Sequence, residues 1–124
     1  MKRLILDTNF LMIPHVFGVD IFEEISKLVD ERHELVVFSS TIKELENIIK
    51  RGGKEGISAK IALELIKRKG VKIIQNRGST DEDIIEGADN NTIVATNDRD
   101  LIKRLKDKNI KVIYLRGKNR LEMM

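Results

Sequence analysis

Short apolar runs alternating with amphipathic segments predict an α/β fold, a three-layer α/β/α sandwich on a parallel sheet. Three observations carry this. The runs are continuous in Leu, Ile and Val, as in strands buried on both faces. Each is followed by a stretch with helical apolar spacing, which implies parallel pairing through right-handed crossovers. The 124 residues suit one domain (1–124) with a real core, and no internal repeat or linker interrupts them.

Leu4-Ile5-Leu6 reads as the first strand. Phe10 to Met12 begins an apolar segment interrupted by Pro14 and Gly18. A helix fits Asp20 to Glu31, with Ile21, Phe22, Ile25, Leu28 and Val29 on one face. Leu35 to Phe38 is the second strand, punctuated by Ser39-Ser40-Thr41, and the next helix carries Ile42, Leu45, Ile48 and Ile49. Arg51 to Gly56, with three glycines, predicts a mobile loop before a helix that opens at Ser58 and ends near Gly70. Val71 to Ile74 is the third strand. Ser79 and Thr80 open a short helix bearing Ile84, Ile85 and Ala88. Thr92 to Ala95 is the fourth strand, Asp100 to Lys108 a helix presenting Leu101, Ile102 and Leu105, and Val112 to Leu115 the fifth strand. Arg116 to Met124 shows no clear pattern.

Composition narrows the chemistry. The absence of cysteine excludes disulfides and thiolate sites, and two histidines are too few for a zinc site of the usual kind. No apolar run approaches a membrane span, so no membrane partner and a cytoplasmic location are expected. The net charge of +3 hides an asymmetry, because basic residues dominate from Arg99 onward. A polyanion such as RNA or DNA suits that surface, and so does a solvated helix face with a basic tail. Aromatic residues are only 4% of the chain, which argues against a base-stacking platform of the single-strand-binding type.

Four acids stand where a strand hands over to a helix or loop: Asp7 in LILDTN, Glu44 in STIKELE, Asp81 in GSTDEDII and Asp98 in VATNDRDL. Parallel strands share one carboxyl edge, where open α/β sheets bind ligands. Carboxylates gathered there need a positive partner, and a hard divalent cation with oxygen ligands fits. Metal-assisted phosphodiester cleavage follows as the leading chemistry. Each acid also has a structural reading. Asp7 fits an Asx-turn. Glu44 lies at capping-box spacing from Thr41, as Glu82 does from Ser79. Asp81 suits a first helical turn, and Asp98 an N-cap. Asp7 is hardest to explain this way, because a carboxylate leaving a central strand sits where an unpaired charge costs most.

The same four segments resemble the motifs of the PIN-domain nuclease family over essentially the whole chain. LILDTNFLM matches the first motif with Asp7, TIKELE the second with Glu44, STDEDII the third with Asp81, and IVATNDRDL the fourth with Asp98 preceded by Thr96. The resemblance implies a five-stranded parallel sheet of order 3-2-1-4-5, one or two Mg²⁺ or Mn²⁺ ions, and endonuclease action on RNA. Asp7, Asp81 and Asp98 would hold the metal, with Glu44 completing the catalytic set by orienting a water or binding a second ion. Thr8, Asn9 and Thr96 would position the nucleophile or phosphate, with Asp83 and Asp100 as outer supporting acids. Arg99, Lys103, Arg104, Lys118 and Arg120 are the candidates for RNA contact. Glu82 and Asp83 crowd the third motif, so which acid serves there stays open.

Within the family, MIPHVFGVDIFEEI and YLRGKNRLE are most similar to the small-subunit processome branch, which cleaves precursor ribosomal RNA. The toxin branch, with an antitoxin partner, competes with it, as does a non-catalytic RNA-binding role in ribosome assembly. PIN domains often dimerise, so a homodimer is a further expectation. A receiver domain is rejected, because the third strand, Val-Lys-Ile-Ile-Gln-Asn, lacks its aspartate. A topoisomerase-primase domain would use Asp98-Arg99-Asp100 but needs Glu where Asp7 stands.

Overall fold

The computed structural model describes residues 1–124 and consists of six strands and seven helices. In chain order these are β1 (Lys2–Leu6), α1 (Thr8–Leu11), α2 (Ile13–Phe17), α3 (Ile21–Leu28), β2 (His33–Phe38), α4 (Ser39–Arg51) and α5 (Gly53–Arg68). There follow β3 (Lys72–Ile74), α6 (Thr80–Gly87), β4 (Thr92–Ala95), α7 (Arg99–Asp107), β5 (Lys111–Arg116) and β6 (Arg120–Met123). The sheet order is β3-β2-β1-β4-β5-β6, so the expected 3-2-1-4-5 arrangement is present with one strand added.

Strand β1 is central, pairing in parallel with β2 (Leu4 opposite Leu35) and with β4 (Leu4 opposite Ile93). The period of two splits its side chains between two cores. Leu4 and Leu6 join Ile93, Ala95 and Ile113 beneath α1–α5. Ile5 joins Val94 and Val112 beneath α6 and α7, against Ile84, Leu101 and Leu105. These two clusters make the sandwich. The chain leaves β1 toward β2 on one side and returns to β4 on the other, so the switch point lies between the carboxyl ends of β1 and β4.

Three segments differ from the sequence reading. Arg51 to Gly56 is no loop: α4 and α5 meet at the single residue Gly52, and α5 starts at Gly53 rather than Ser58. Gly52 takes φ 78 and ψ −161, which side chains rarely allow. Gly56 lets α5 approach α4 closely, since a Cβ there would meet the Ile48 and Ile49 carbonyl oxygens at 3.4 Å. The glycines make a corner between two helices. Pro14 also breaks nothing, sitting in the first turn of α2 where its missing N–H is no loss.

The patternless tail is the third difference. It folds back through Gly117 (φ 65) as β6, antiparallel to β5, with Leu115 opposite Leu121. Among its residues only Leu121 is buried, so its apolar alternation is too thin to stand out.

Replacing Gly52 by Ala meets no neighbouring atom but puts a side chain on a backbone conformation that only glycine adopts readily. The expected cost is about 1–3 kcal/mol, read as a lower denaturant midpoint at unchanged m-value. An unmoved midpoint would mean that the corner rebuilds freely.

Candidate active site

Asp7 begins where β1 ends. Its backbone N–H still donates to the Ala95 carbonyl at 2.9 Å, so β1 and β4 are zipped up to the residue itself. Its side chain caps α1, with Oδ1 accepting from the Thr8 N–H at 2.8 Å and Oδ2 from the Thr96 hydroxyl at 2.7 Å. Asp7 is only 4% exposed, and Thr96 is fully buried. Burial lifts the Asp7 carboxyl from 3.8 to about 6. The Thr96 and Thr8 hydrogen bonds oppose that rise, and the charges of Asp81 and Glu44 add to it.

Thr96 joins two acids. It donates to Asp7, and its oxygen accepts from the Asp98 N–H at 3.1 Å. Asp98 is the N-cap of α7, with Oδ1 accepting from the Asp100 and Leu101 N–H groups at 3.0 and 3.2 Å. Asp81 stands in the first turn of α6, and its carboxyl is raised by burial and then by the charges of Asp98 and Glu44. Arg104 pulls the other way, but its guanidinium is committed to Glu82 through bonds of 2.8 and 3.1 Å. All four acids therefore lie in one electrostatic neighbourhood, and none of them forms an ion pair.

Glu44 is held by a chain of hydroxyls that sequence reading missed. The helix α4 starts two residues before Thr41, so the Thr41–Glu44 capping box does not form. Thr41 is instead buried and accepts from the Thr8 hydroxyl at 3.0 Å. Asn76, from the loop after β3, caps α4 from outside, its Oδ1 accepting from the Ser40 N–H at 2.9 Å. That bond fixes the amide orientation, leaving Nδ2 to donate to Ser40 Oγ at 2.9 Å. The Thr80 hydroxyl donates to Glu44 Oε1, so Ser40 must be the donor in its 2.6 Å bond to Thr80. The donors run one way, from Asn76 through Ser40 and Thr80 to Glu44, an arrangement in which each bond polarises the next. Hydroxyl residues within two positions of the ends of β1, β2 and β4, and another just before Asp81, were the available signal.

The three acids of the third motif have different surroundings. Glu82 is turned to Arg104, and Asp83 Oδ2 accepts from Asn76 Nδ2 at 2.7 Å and the Gly78 N–H at 3.0 Å. Asp81 is the acid of the three without a hydrogen-bonded or ionic protein partner. The Ser79 hydroxyl caps α6 by accepting from the Glu82 N–H, but Glu82 does not complete the box. Asn9 and Asp100 are exposed near the edge. Among the basic candidates, Arg99 and Lys103 line a cleft beside Asp98, Arg104 pairs with Glu82, Arg120 pairs with Glu122 at 3.0 Å, and Lys118 is exposed in the β5–β6 turn.

The donor set is all oxygen, anionic and free of basic partners, which is the chemistry of a hard divalent cation. No three of these carboxylates converge closely enough to form a metal-binding group by themselves.

A mostly parallel α/β sheet with acids gathered at its switch point defines the class of protein. The chain belongs to the PIN-like domain family, whose family model matches residues 4–118. It is similar to ribonuclease VapC4 of Methanocaldococcus jannaschii, with 33% identity across 99% of this chain and 97% of the relative. It is also similar to ribonuclease VapC9 of Archaeoglobus fulgidus, with 28% identity across 94% and 85%. Among solved structures, the PIN domain endonuclease Utp24 superposes with a TM-score of 0.80 at 22% identity, covering 98% of this chain and 90% of that one. The VapBC-1 structure from nontypeable Haemophilus influenzae gives 0.53 at 17% identity, covering 85% and 93%. No helix is long and apolar enough to cross a membrane.

Asp7 makes metal-free stability fall with pH. A carboxyl raised from 3.8 to about 6 on folding contributes stability in full below its unfolded value and loses it as pH rises through the folded one. The loss approaches 3 kcal/mol, about 1.4 kcal/mol for each tenfold change in the proton equilibrium. In chelator, the melting temperature is expected to fall between roughly pH 4 and 6 and to level off above that, and Asp7→Asn to flatten that fall.

Thr80→Val removes the donor to Glu44 and orphans Ser40, at an expected cost of about 1–3 kcal/mol. Thr80→Ser is expected to recover most of it in the same denaturation measurement.

Proposed function

We propose that this protein is a divalent-metal-dependent endoribonuclease, with Asp7, Glu44, Asp81 and Asp98 as its catalytic acids. The observation that supports this most is Asp7, a nearly dry carboxylate with no cation beside it, surrounded by further acids. A folded chain tolerates that arrangement best when something positive is bound there for part of its working cycle. The substrate class is supported by the two sequence relatives, both of them ribonucleases, which the chain matches along nearly its full length.

In this reading Asp7, Asp81 and Asp98 hold Mg²⁺ or Mn²⁺, directly or through waters. Bound there, the ion supplies Lewis-acid stabilisation of charge gathering on the phosphoryl oxygens. Thr96 fixes the Asp7 carboxylate and ties its position to Asp98. Thr80 takes up one oxygen of Glu44, which leaves the other to accept a hydrogen bond from the attacking water and orient it. Thr8 stiffens the turn carrying Asp7, and exposed Asn9 is placed to hydrogen-bond the phosphate. Asp83 supports the site indirectly, through Asn76.

Two observations bear on biological role. The VapC relatives favour the ribonuclease of a toxin–antitoxin pair, since that likeness is one of sequence and reaches 33% identity. The likeness to Utp24 keeps ribosomal RNA processing as the second reading, at the level of fold. A purely RNA-binding scaffold is disfavoured, because all four acids are present and none is neutralised by an ion pair.

Purified protein is expected to cleave RNA with Mn²⁺ or Mg²⁺ and to stop on adding chelator. Asp7→Asn should lower the cleavage rate by about a hundredfold or more, equivalent to roughly 3 kcal/mol of transition-state stabilisation, with circular dichroism unchanged. Equal rates in variant and wild type would refute the assignment.

A further inference from the structure

An acidic edge repels the very polyanion it is proposed to cut, so the chain needs an attractive surface close by. The structure has one. A cleft of about 680 Å³ opens between α7 and the β5–β6 hairpin. Arg99, Lys103 and Lys106 line it from one stripe of α7, at helical spacing, and Arg116 faces them from the end of β5. Asp107 is the single acid among its lining residues. Arg116 is paired with Glu122 at 3.1 Å, an exposed ion pair of the kind a phosphate exchanges easily.

The cleft adjoins the acidic edge through the residues flanking Asp98, although none of the four acids lines it. Asn97, which lines it, and Arg99 are the two chain neighbours of Asp98. Asn97 Oδ1 accepts from the Leu115 N–H at 2.9 Å, pinning the mouth of the cleft to β5. Tyr114, the only tyrosine of the chain, lies half-buried in the wall. Positive charge that tracks a backbone, beside one aromatic face, is the equipment for an unstacked strand. A duplex keeps its bases stacked inside and would leave the Tyr114 ring unused.

We propose that this cleft seats the single-stranded RNA next to the scissile phosphate, its cations on the backbone and Tyr114 under one base. The ligand rests on the ribonuclease reading, and the site on the cleft alone. Lys106 and Arg116 belong to the basic surface expected from Arg99 onward, and Tyr114 and Asn97 add to it what charge alone does not show.

The test is fluorescence anisotropy of a labelled twelve-nucleotide single strand in chelator, where no cleavage intervenes. Lys103→Ala with Lys106→Ala is expected to weaken binding about tenfold, and to flatten the salt dependence of log Kd by about 1.4, at roughly 0.7 per phosphate contact. Tyr114→Leu should weaken binding by about fivefold or more, the range of one lost base stack, while Tyr114→Phe keeps it. Lys60→Ala with Lys67→Ala, on α5 across the sheet, should change little. The proposal falls if the cleft pair leaves affinity and salt slope unaltered, if the α5 pair has an equal effect, or if the corresponding duplex binds wild type as tightly. A wild type that binds the strand through the cleft but cleaves no RNA overturns the nuclease reading and leaves the cleft standing. A wild type that cleaves, with KM indifferent to the cleft substitutions, does the reverse.

Discussion

A carboxylate driven into the carboxyl end of the central strand is the constraint around which this protein is arranged. Asp7 sits there because β1 and β4 remain zipped as far as its own N–H, and β1 is buried between two cores. Burial disfavours its charge strongly enough to hold its carboxyl near 6. The protein answers with neutral donors, the Thr96 hydroxyl and the Thr8 N–H, rather than with a lysine or arginine. Neutral donors fix the geometry without cancelling the charge. An arginine in the same place would have stabilised the folded chain more and closed the site to any other cation.

The same choice recurs around the edge. Glu44 is held by Thr80, Thr80 by Ser40, and Ser40 by Asn76. Three of the nearby basic side chains are paired with other acids, Arg104 with Glu82 and Arg116 and Arg120 with Glu122, whereas Arg99 and Lys103 are turned to the cleft. Charge is thus separated by element. Acids belong to the strand ends and first helical turns, and bases to the outer stripe of α7 and the last hairpin. At a Debye length of about 8 Å in physiological salt, such neighbouring regions keep distinct fields instead of averaging to the net charge.

What could be read from sequence was what lies close along the chain. The buried strands were legible because Leu4 to Leu6 or Thr92 to Ala95 are apolar without interruption, as burial on both faces requires. Asp7 was legible because it directly follows a strand, and Asp98 because it stands between a strand and the helix it caps. The Thr41–Glu44 capping box failed because α4 takes its cap from Asn76, 36 residues away from Ser40. Spacing within a segment carries no trace of such a bond. The corner at Gly52 and the strand β6 were misjudged for another reason. Glycine and charge were read as signs of mobility and solvation, whereas close helix contact at Gly56 and one buried side chain, Leu121, suffice to order them.

The capping roles do not compete with metal binding, although each acid seemed at first to need one or the other. A carboxylate has about four acceptor sites. Asp98 uses one oxygen to cap α7 and has no protein donor on its second. Asp7 accepts one hydrogen bond on each oxygen, leaving lone pairs on both. The cap restricts the rotamer, and a restricted rotamer is what a ligand must have before an ion arrives. In a parallel sheet the helix N-termini and the strand ends share one edge, so the bonds that start each helix also aim its acid. On the proposed reading, the fold would prepare the site using interactions it needs for its own stability.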